Sequence, residues 1–265
     1  GSHRAIPEFT SVSFMRSMSS QSDTSPPLPS LAQQLHSRGF AVDQLDTALA
    51  ESVRTAMAEA SGFFDAMEGL PGFVHDALVR RQADGRALMF TGFRMPGEEY
   101  AQVYERPDMM QSFSIMAADR ERLPTAVWDF LQQHPYTRRM FAIREAIVVR
   151  ATAALHELGA LLGGEAADRA AMADLSRHTF LQVNSYRPTL YEARYRREGQ
   201  VPLTQRTYLQ DPHEDGQFLT WAAADDWGLV GRSQDGEERG LEPVPPAPGS
   251  MLVMTSVPFT YYTAG

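Results

Sequence analysis

His213-Glu214-Asp215-Gly216-Gln217-Phe218-Leu219-Thr220-Trp221 is the stretch on which the reading of this chain turns. Thr, Phe and Trp favour pleated backbone, and Asp211-Pro212 just ahead marks a turn. The stretch therefore predicts a strand. On a strand, residues two apart share a face, so His213 and Asp215 project together and Glu214 turns away. An imidazole nitrogen and a carboxylate oxygen side by side are two of the three groups that hold non-haem Fe(II) in a facial triad, with positions left open. A His-x-Asp triplet is common by chance, and its plain alternative is a surface hydrogen bond. His213 is also the last histidine of the chain.

The pattern around this stretch is β. Upstream, His178 to Tyr186 alternates like a strand that Arg187-Pro188 ends, and Tyr191 to Gln205 reads as a charged, exposed insertion. Downstream, Trp227 to Gly231, Leu241 to Val244, Met251 to Thr255 and Phe259 to Tyr262 are short strands separated by turn signals. That spacing suggests a sandwich, barrel or jelly roll. The first half reads differently. Leu31 to Phe40 holds a short helix capped at Gly39, and Phe40-Ala41-Val42 a strand. Asp46 to Met67 is an amphipathic core helix by its spacing of Leu49, Val53, Met57, Ala60 and Phe64. Phe73 to Val79 is a further helical turn. Met89 to Phe93 and Ser112 to Met116 are extended, and Trp128 to Gln133 is a short helix. Arg138 to Leu162 is the longest helix and is expected to support a sheet.

The totals set limits. The 265 residues carry a net charge of −9, which gives a nucleic-acid partner no electrostatic footprint. There are no cysteines, so any metal is held by His, Asp, Glu or water, which suits iron or manganese. The most apolar helix is interrupted by Arg150, His156 and Glu157, which argues against a membrane span. A soluble, cytoplasmic monomer is the default expectation. Residues 1–28 read as a tag remnant and flexible lead-in, and 29–265 as a single domain. No Gly-x-Ser-x-Gly elbow and no glycine-rich phosphate loop is present.

Taken in order, several segments resemble the isopenicillin-N-synthase-like group of non-haem iron, 2-oxoglutarate-dependent oxygenases. Gly39-Phe40 and the helix ending in Phe63-Phe64 resemble the family's opening. Phe90-Thr91-Gly92-Phe93, Glu98, Pro107-Asp108 and Ser112-Phe113 resemble its middle. Asn184-Ser185-Tyr186 resembles the Asn-x-Tyr segment of a core strand, and His213-Glu214-Asp215 with Phe218-Leu219-Thr220 the iron-binding strand. Asp226-Trp227-Gly228-Leu229 is similar to a Gly-Gly-Leu stretch, and Val244 to Gly249 followed by Leu252-Val253 to the family's turn and strand.

The resemblance implies an α+β fold with a mainly β core. Its centre would be a double-stranded β-helix, or jelly roll, with an N-terminal helical portion and a long supporting helix. It implies Fe(II) held by His213 and Asp215, with 2-oxoglutarate and O2 as co-substrates and Tyr186 and Asn184 beside 2-oxoglutarate. The reaction would be oxidative decarboxylation to an Fe(IV)-oxo species. That species would hydroxylate, desaturate or cyclise a small molecule, in secondary metabolism or antibiotic biosynthesis. The family's third ligand, a His, and its Arg-x-Ser pair are expected beyond Gly265, so the domain appears here without its C-terminal end. His178 is the internal substitute for that ligand, with a structural role as the first expectation. Two alternatives stay open: an iron oxidase of the isopenicillin N synthase type that needs no 2-oxoglutarate, and a non-catalytic binding relative.

Arg187 and Arg206 flank the site and are candidates for pairing with an anionic substrate. Phe218, Trp221 and the methionines Met89, Met95, Met109, Met110 and Met116 read as core packing, with a hydrophobic substrate wall as the sharper alternative.

Overall fold

The computed structural model describes residues 29–67, 69–78, 91–97, 108–162, 175–195, 198–199, 202–205, 209–210, 215, 217–225, 230–231, 242–243 and 248–255. Helix α1 (Leu31–Arg38) starts with a reciprocal cap. Ser30 Oγ accepts from the Gln33 N–H at 3.2 Å, and Gln33 Oε1 accepts from the Ser30 N–H at 2.9 Å. Two donors that a helix start leaves open are thereby satisfied. Gly39 closes the helix at φ 74°, a left-handed conformation that strains residues with a Cβ. Strand β1 (Phe40–Gln44) follows directly. Asp46 accepts from the Leu49 N–H at 2.9 Å and so caps α2 (Thr47–Met67). Helix α3 is Gly72–Leu78. Helix α4 (Thr125–Gln133) meets α5 (Pro135–Leu161) at His134. Pro135 fits there because the first turn of a helix needs no N–H donor. A one-turn α6 (Leu175–His178) precedes strand β4 (Phe180–Ser185), and α7 (Pro188–Tyr195) follows it.

The strands form antiparallel sheets. In the first, β8 (Ser250–Thr255) lies between β1 and β5 (Leu219–Ala222). In the second, β3 (Gln111–Met116) lies between β2 (Gly92–Arg94) and β4. A small ribbon pairs β6 (Val230–Gly231) with β7 (Glu242–Pro243).

Each three-stranded sheet turns one apolar face to the helices. Register puts Phe93, Phe113 and Val183 in one row of the second sheet and Ile115 and Leu181 in the next. This face packs on Phe63, Phe64, Val127, Leu131 and Met140 of α2, α4 and α5. In the first sheet Met251 and Trp221 pack on Leu49, Val53, Ile143 and Ile147, again from α2 and α5. The long helix supports both sheets, as its apolar spacing predicted.

A buried carboxylate fixes the first sheet to that helix. Asp43 on β1 is 9% exposed. It accepts from Arg150 Nε and Nη2, each at 3.0 Å, and from the Trp221 indole N–H at 3.0 Å. Arg150 also donates to the Gln44 carbonyl. One side chain thus ties together β1, α5 and β5. Asp43→Ala strands a half-buried cation and an indole donor. We expect a loss of about 2–3 kcal/mol, and a Tm lowered by roughly 5–10 °C. Asp43→Asn keeps an acceptor for the indole and should lose about half as much. Equal stability of both variants and the parent would refute the role.

Three expectations are corrected by the structure. Among the described residues of the strand expected over 213–221, strand begins at Leu219, Gln217 and Phe218 form a bend and Asp215 is coil; His213, Glu214 and Gly216 lie outside the described residues. Glycine at 216 and a polar residue at 217 offer little to a pleated surface. The Tyr191–Gln205 stretch is not a simple exposed insertion. Tyr191 is fully buried, on a helix, and packs with Met109 and Leu203. His178 ends a helical turn and is exposed, so β4 begins two residues later than alternation suggested. Phe218 is also 37% exposed rather than core, whereas Met109, Met110 and Met116 are buried. The Met89–Phe90 and Phe259–Tyr262 readings fall outside the described residues. Among the described residues no helix is long and apolar enough to cross a membrane.

Candidate functional site

The second sheet has an unusual reverse face. Alternation sends Phe113 and Ile115 to the helices and Ser112, Ser114 and Met116 the other way. Ser112 is 0% and Ser114 1% exposed. Register sets Ser112 between Arg94 on β2 and Asn184 on β4, and Ser114 between Gly92 and Gln182. A central strand that buries hydroxyls on one face and phenylalanine on the other is built for two purposes. One face holds the fold; the other offers hydrogen bonds.

Asn184 and Tyr186 meet on this polar side. Gln182 Nε2 donates to Asn184 Oδ1 at 2.8 Å. The Tyr186 hydroxyl donates to Gln210 Oε1 at 3.0 Å and lies 3.5 Å from Met110 Sδ. The Tyr186 ring is 44% exposed, but its hydroxyl end is enclosed by these neighbours. Burial pushes the phenol up to about 12, helped by the nearby Asp108 charge and opposed by the hydrogen bond from Asn184. The hydroxyl therefore stays a neutral donor across the physiological range. A raised folded-state value favours the protonated protein, so this contribution is intact below pH 10 and lost as pH rises toward about 12. Tyr186→Phe should lose stability less steeply than the parent between those limits, measured by denaturant titrations across pH. Identical slopes would show that the phenol titrates normally.

Arg187 is placed differently. Its Nη1 donates to Asp65 at 2.6 Å, its Nη2 donates to Gln111 Oε1 at 3.2 Å, and its guanidinium lies over the Tyr191 ring at 5.9 Å. Gln111 and Asp65 belong to the helix side. The structure brings Asn184 and Tyr186 together and turns Arg187 away, as a strut between β3 and α2. Its cationic charge is met by Asp65.

Asp215 is half-buried, electrostatically engaged, and lies shortly before β5. The strand it leads into is held by pairing with β8 and by the Trp221–Asp43 bond. Thr220 on β5 carries a buried hydroxyl without a partner among the described residues. His213 and Arg206 lie outside the described residues. Among the described residues no three His, Cys, Asp or Glu side chains gather as a metal site.

Sequence reasoning missed Arg94, Ser112, Gln182 and Gln210 as neighbours of Asn184 and Tyr186. The signal was present in Ser112-Phe113-Ser114-Ile115, where polar and apolar residues alternate strictly. Such alternation normally marks a solvated face, and here that face is buried.

No family model matches the chain, and no curated protein does. Solved structures that are similar to this chain include the following two. A protein of Shewanella oneidensis, provisionally named an oxygenase, has a TM-score of 0.54 at 16% identity, covering 89% of this chain and 74% of its own. A protein of Caulobacter crescentus, provisionally placed in the 2OG-Fe(II) oxygenase family, has a TM-score of 0.49 at 16% identity, covering 87% and 68%. The second value is too low to carry an argument. The first, at its low identity, speaks to architecture alone: this chain shares its α+β fold with the Shewanella protein.

Proposed function

We propose that the chain is an Fe(II)- and 2-oxoglutarate-dependent oxygenase acting on a small molecule. The observation that carries this reading is the fold shared with the Shewanella oneidensis protein. It is supported by Asp215 at the entry to β5 and by the polar face bearing Asn184 and Tyr186. His213 and Asp215 would hold the iron. The donor chemistry fits: nitrogen and oxygen ligands, in a chain with no thiolate, suit Fe(II). The two sheets would form part of a double-stranded β-helix. A small-molecule substrate agrees with the net charge of −9, which disfavours nucleic acid.

Bound iron, with 2-oxoglutarate and O2, supplies the oxidising power for breaking a C–H bond. The residues of the chain do the rest. Tyr186 would turn its uncharged O–H from Gln210 to 2-oxoglutarate, and Asn184, its carbonyl engaged by Gln182 and one N–H directed at the Tyr186 oxygen, would offer its other N–H. The helix-backed sheet holds both groups on rigid backbone, which lowers the cost of orienting the ligand.

The test is succinate production by the purified protein given Fe(II), ascorbate, O2 and 2-oxoglutarate, followed by NMR. Succinate that requires iron supports the reading. Oxygen uptake without 2-oxoglutarate would transfer it to an oxidase of the isopenicillin N synthase type. Neither activity, together with no Fe(II) binding, would leave a non-catalytic binding protein.

A further inference from the structure

We infer that the outer edge of β1 is a docking site for an extended, acidic peptide segment of another protein. The ladder to β8 supplies the first observation. The Thr255 N–H donates to the Gly39 carbonyl and the Leu45 N–H to the Gly249 carbonyl, each at 2.9 Å. Bonded pairs alternate along an antiparallel ladder, so Ala41 and Asp43 also turn their backbone groups to β8. Phe40, Val42 and Gln44 turn theirs away from it. The Gln44 carbonyl agrees with this direction, since it accepts from Arg150. Among the described residues β1 is the last strand of its sheet, and the outward N–H and C=O groups of Phe40 and Val42 have no partner there. An open row of this kind is a template for another strand.

The second observation is a groove along this edge. It holds about 520 Å³ and is walled by Leu31, Gln34 and Arg38 of α1 and by Val42, Asp43 and Gln44 of β1. Positions 31, 34 and 38 lie on one helix face. At about 1.5 Å per residue that wall is roughly 10 Å long, which is room for about three extended residues.

The side chains define the occupant. Ala41 packs on Leu35 and Val253, so Phe40 and Val42 point away from the helices, where they are 37% and 42% exposed. An added strand would set apolar side chains beside them and turn its alternate side chains toward α1. On that side Arg38 is exposed and makes no hydrogen bond or ion pair among the described residues. Asp43 is already bonded to Arg150 and Trp221. Arg38 is thus left as an unmatched cation in a chain of net charge −9, and a carboxylate is its complement. Strand addition supplies affinity through the backbone, and these two faces supply selectivity. A second copy of β1 fits less well. Antiparallel pairing centred on Val42 would set Phe40 against Gln44 across the dyad, and Arg150 already caps that carbonyl.

The inference is independent of the oxygenase reading, and binding needs neither iron nor 2-oxoglutarate. Its test is fluorescence anisotropy on the full chain with a labelled, acetylated pentapeptide, Thr-Val-Glu-Val-Thr, and an analogue with Lys in place of Glu. We expect saturable binding of the first peptide. Binding should be about tenfold weaker for the Lys peptide, and for the Glu peptide on Arg38→Glu, near the value of one charge-assisted hydrogen bond. Arg38→Glu should in turn prefer the Lys peptide. Val42→Pro removes an outward N–H and spares the ladder to β8, as edge strands allow, so it should abolish binding with the circular dichroism spectrum kept. Methylating alternate backbone nitrogens of the peptide tests the same bonds without touching the protein. One set should abolish binding and the other should spare it. No saturable binding, equal affinity for the Glu and Lys peptides, or equal effects of both methylation sets would overturn the inference. Concentration-dependent dimerisation that is lost in Val42→Pro would also overturn it, by giving the edge to a second copy.

Discussion

Asp215→Ala is expected to abolish iron-dependent formation of succinate while leaving the circular dichroism spectrum close to that of the parent. The two halves of this expectation have separate grounds. Asp215 lies in coil outside every strand and helix, so its removal breaks no ladder bond. The chemistry has more at stake. Under the proposed reading Asp215 contributes one of two identified protein ligands, and it contributes the charge that offsets Fe(II). Losing a supporting contact around a metal costs about 10–100-fold; losing the ligand itself should exceed about 100-fold in Fe(II) affinity. Fluorescence-quench titration with Fe(II), beside the succinate assay, would measure it. Turnover within tenfold of the parent would remove Asp215 from the metal site.

Phe113→Ala should have the largest effect on stability. Phe113 is 0% exposed at the centre of β3, with ring centroids 4.7 Å from Phe93 and 5.1 Å from Phe63. Phe63 in turn stacks on Tyr136 at 4.1 Å. Deleting a buried phenylalanine removes transfer energy and leaves a cavity, together about 3–5 kcal/mol. That corresponds to a Tm lower by roughly 6–20 °C for a chain of this size. Phe73→Ala is the control. Phe73 is 60% exposed, so its loss should stay within about 0.5 kcal/mol. The phenylalanine anchors one face of the strand whose other face bears Ser112. Similar effects from Phe113→Ala and Phe73→Ala in chemical denaturation would refute this account of the core.

The long helices and the central strands of both sheets were legible because each has a strong period. Leu49, Val53 and Phe64 recur at helical spacing, and Met251 to Thr255 is a continuous apolar run. Two kinds of feature were not legible. Bends inside a favourable composition escaped, as at Gln217-Phe218, where propensity favoured a strand. Charged residues with structural work also escaped. Arg150 reads in the sequence as a break in an apolar helix, yet it anchors Asp43, which lies more than a hundred positions away. Arg187 reads as a substrate cation and is held by Asp65 and Gln111. Long-range pairing decides such roles, and no local window contains it. Tyr186 and Asn184 were singled out through resemblance alone, and the placement of Asn184 opposite Ser112 required the register.

The pairing of β1 with β8 sets the order in which this protein can assemble. Phe40 lies opposite Met254, and the Thr255 N–H donates to the Gly39 carbonyl at 2.9 Å. At roughly 5–20 residues per second a ribosome needs on the order of 10–40 s to make the intervening chain. Throughout that interval the first strand lacks the neighbour that pairs its backbone, and Ala41, buried in the finished protein, is open to other chains. Late closure of so long a loop also predicts slow refolding in vitro. Heterologous production should accordingly respond more to slowed translation or added chaperone than to changes at the surface of the finished protein.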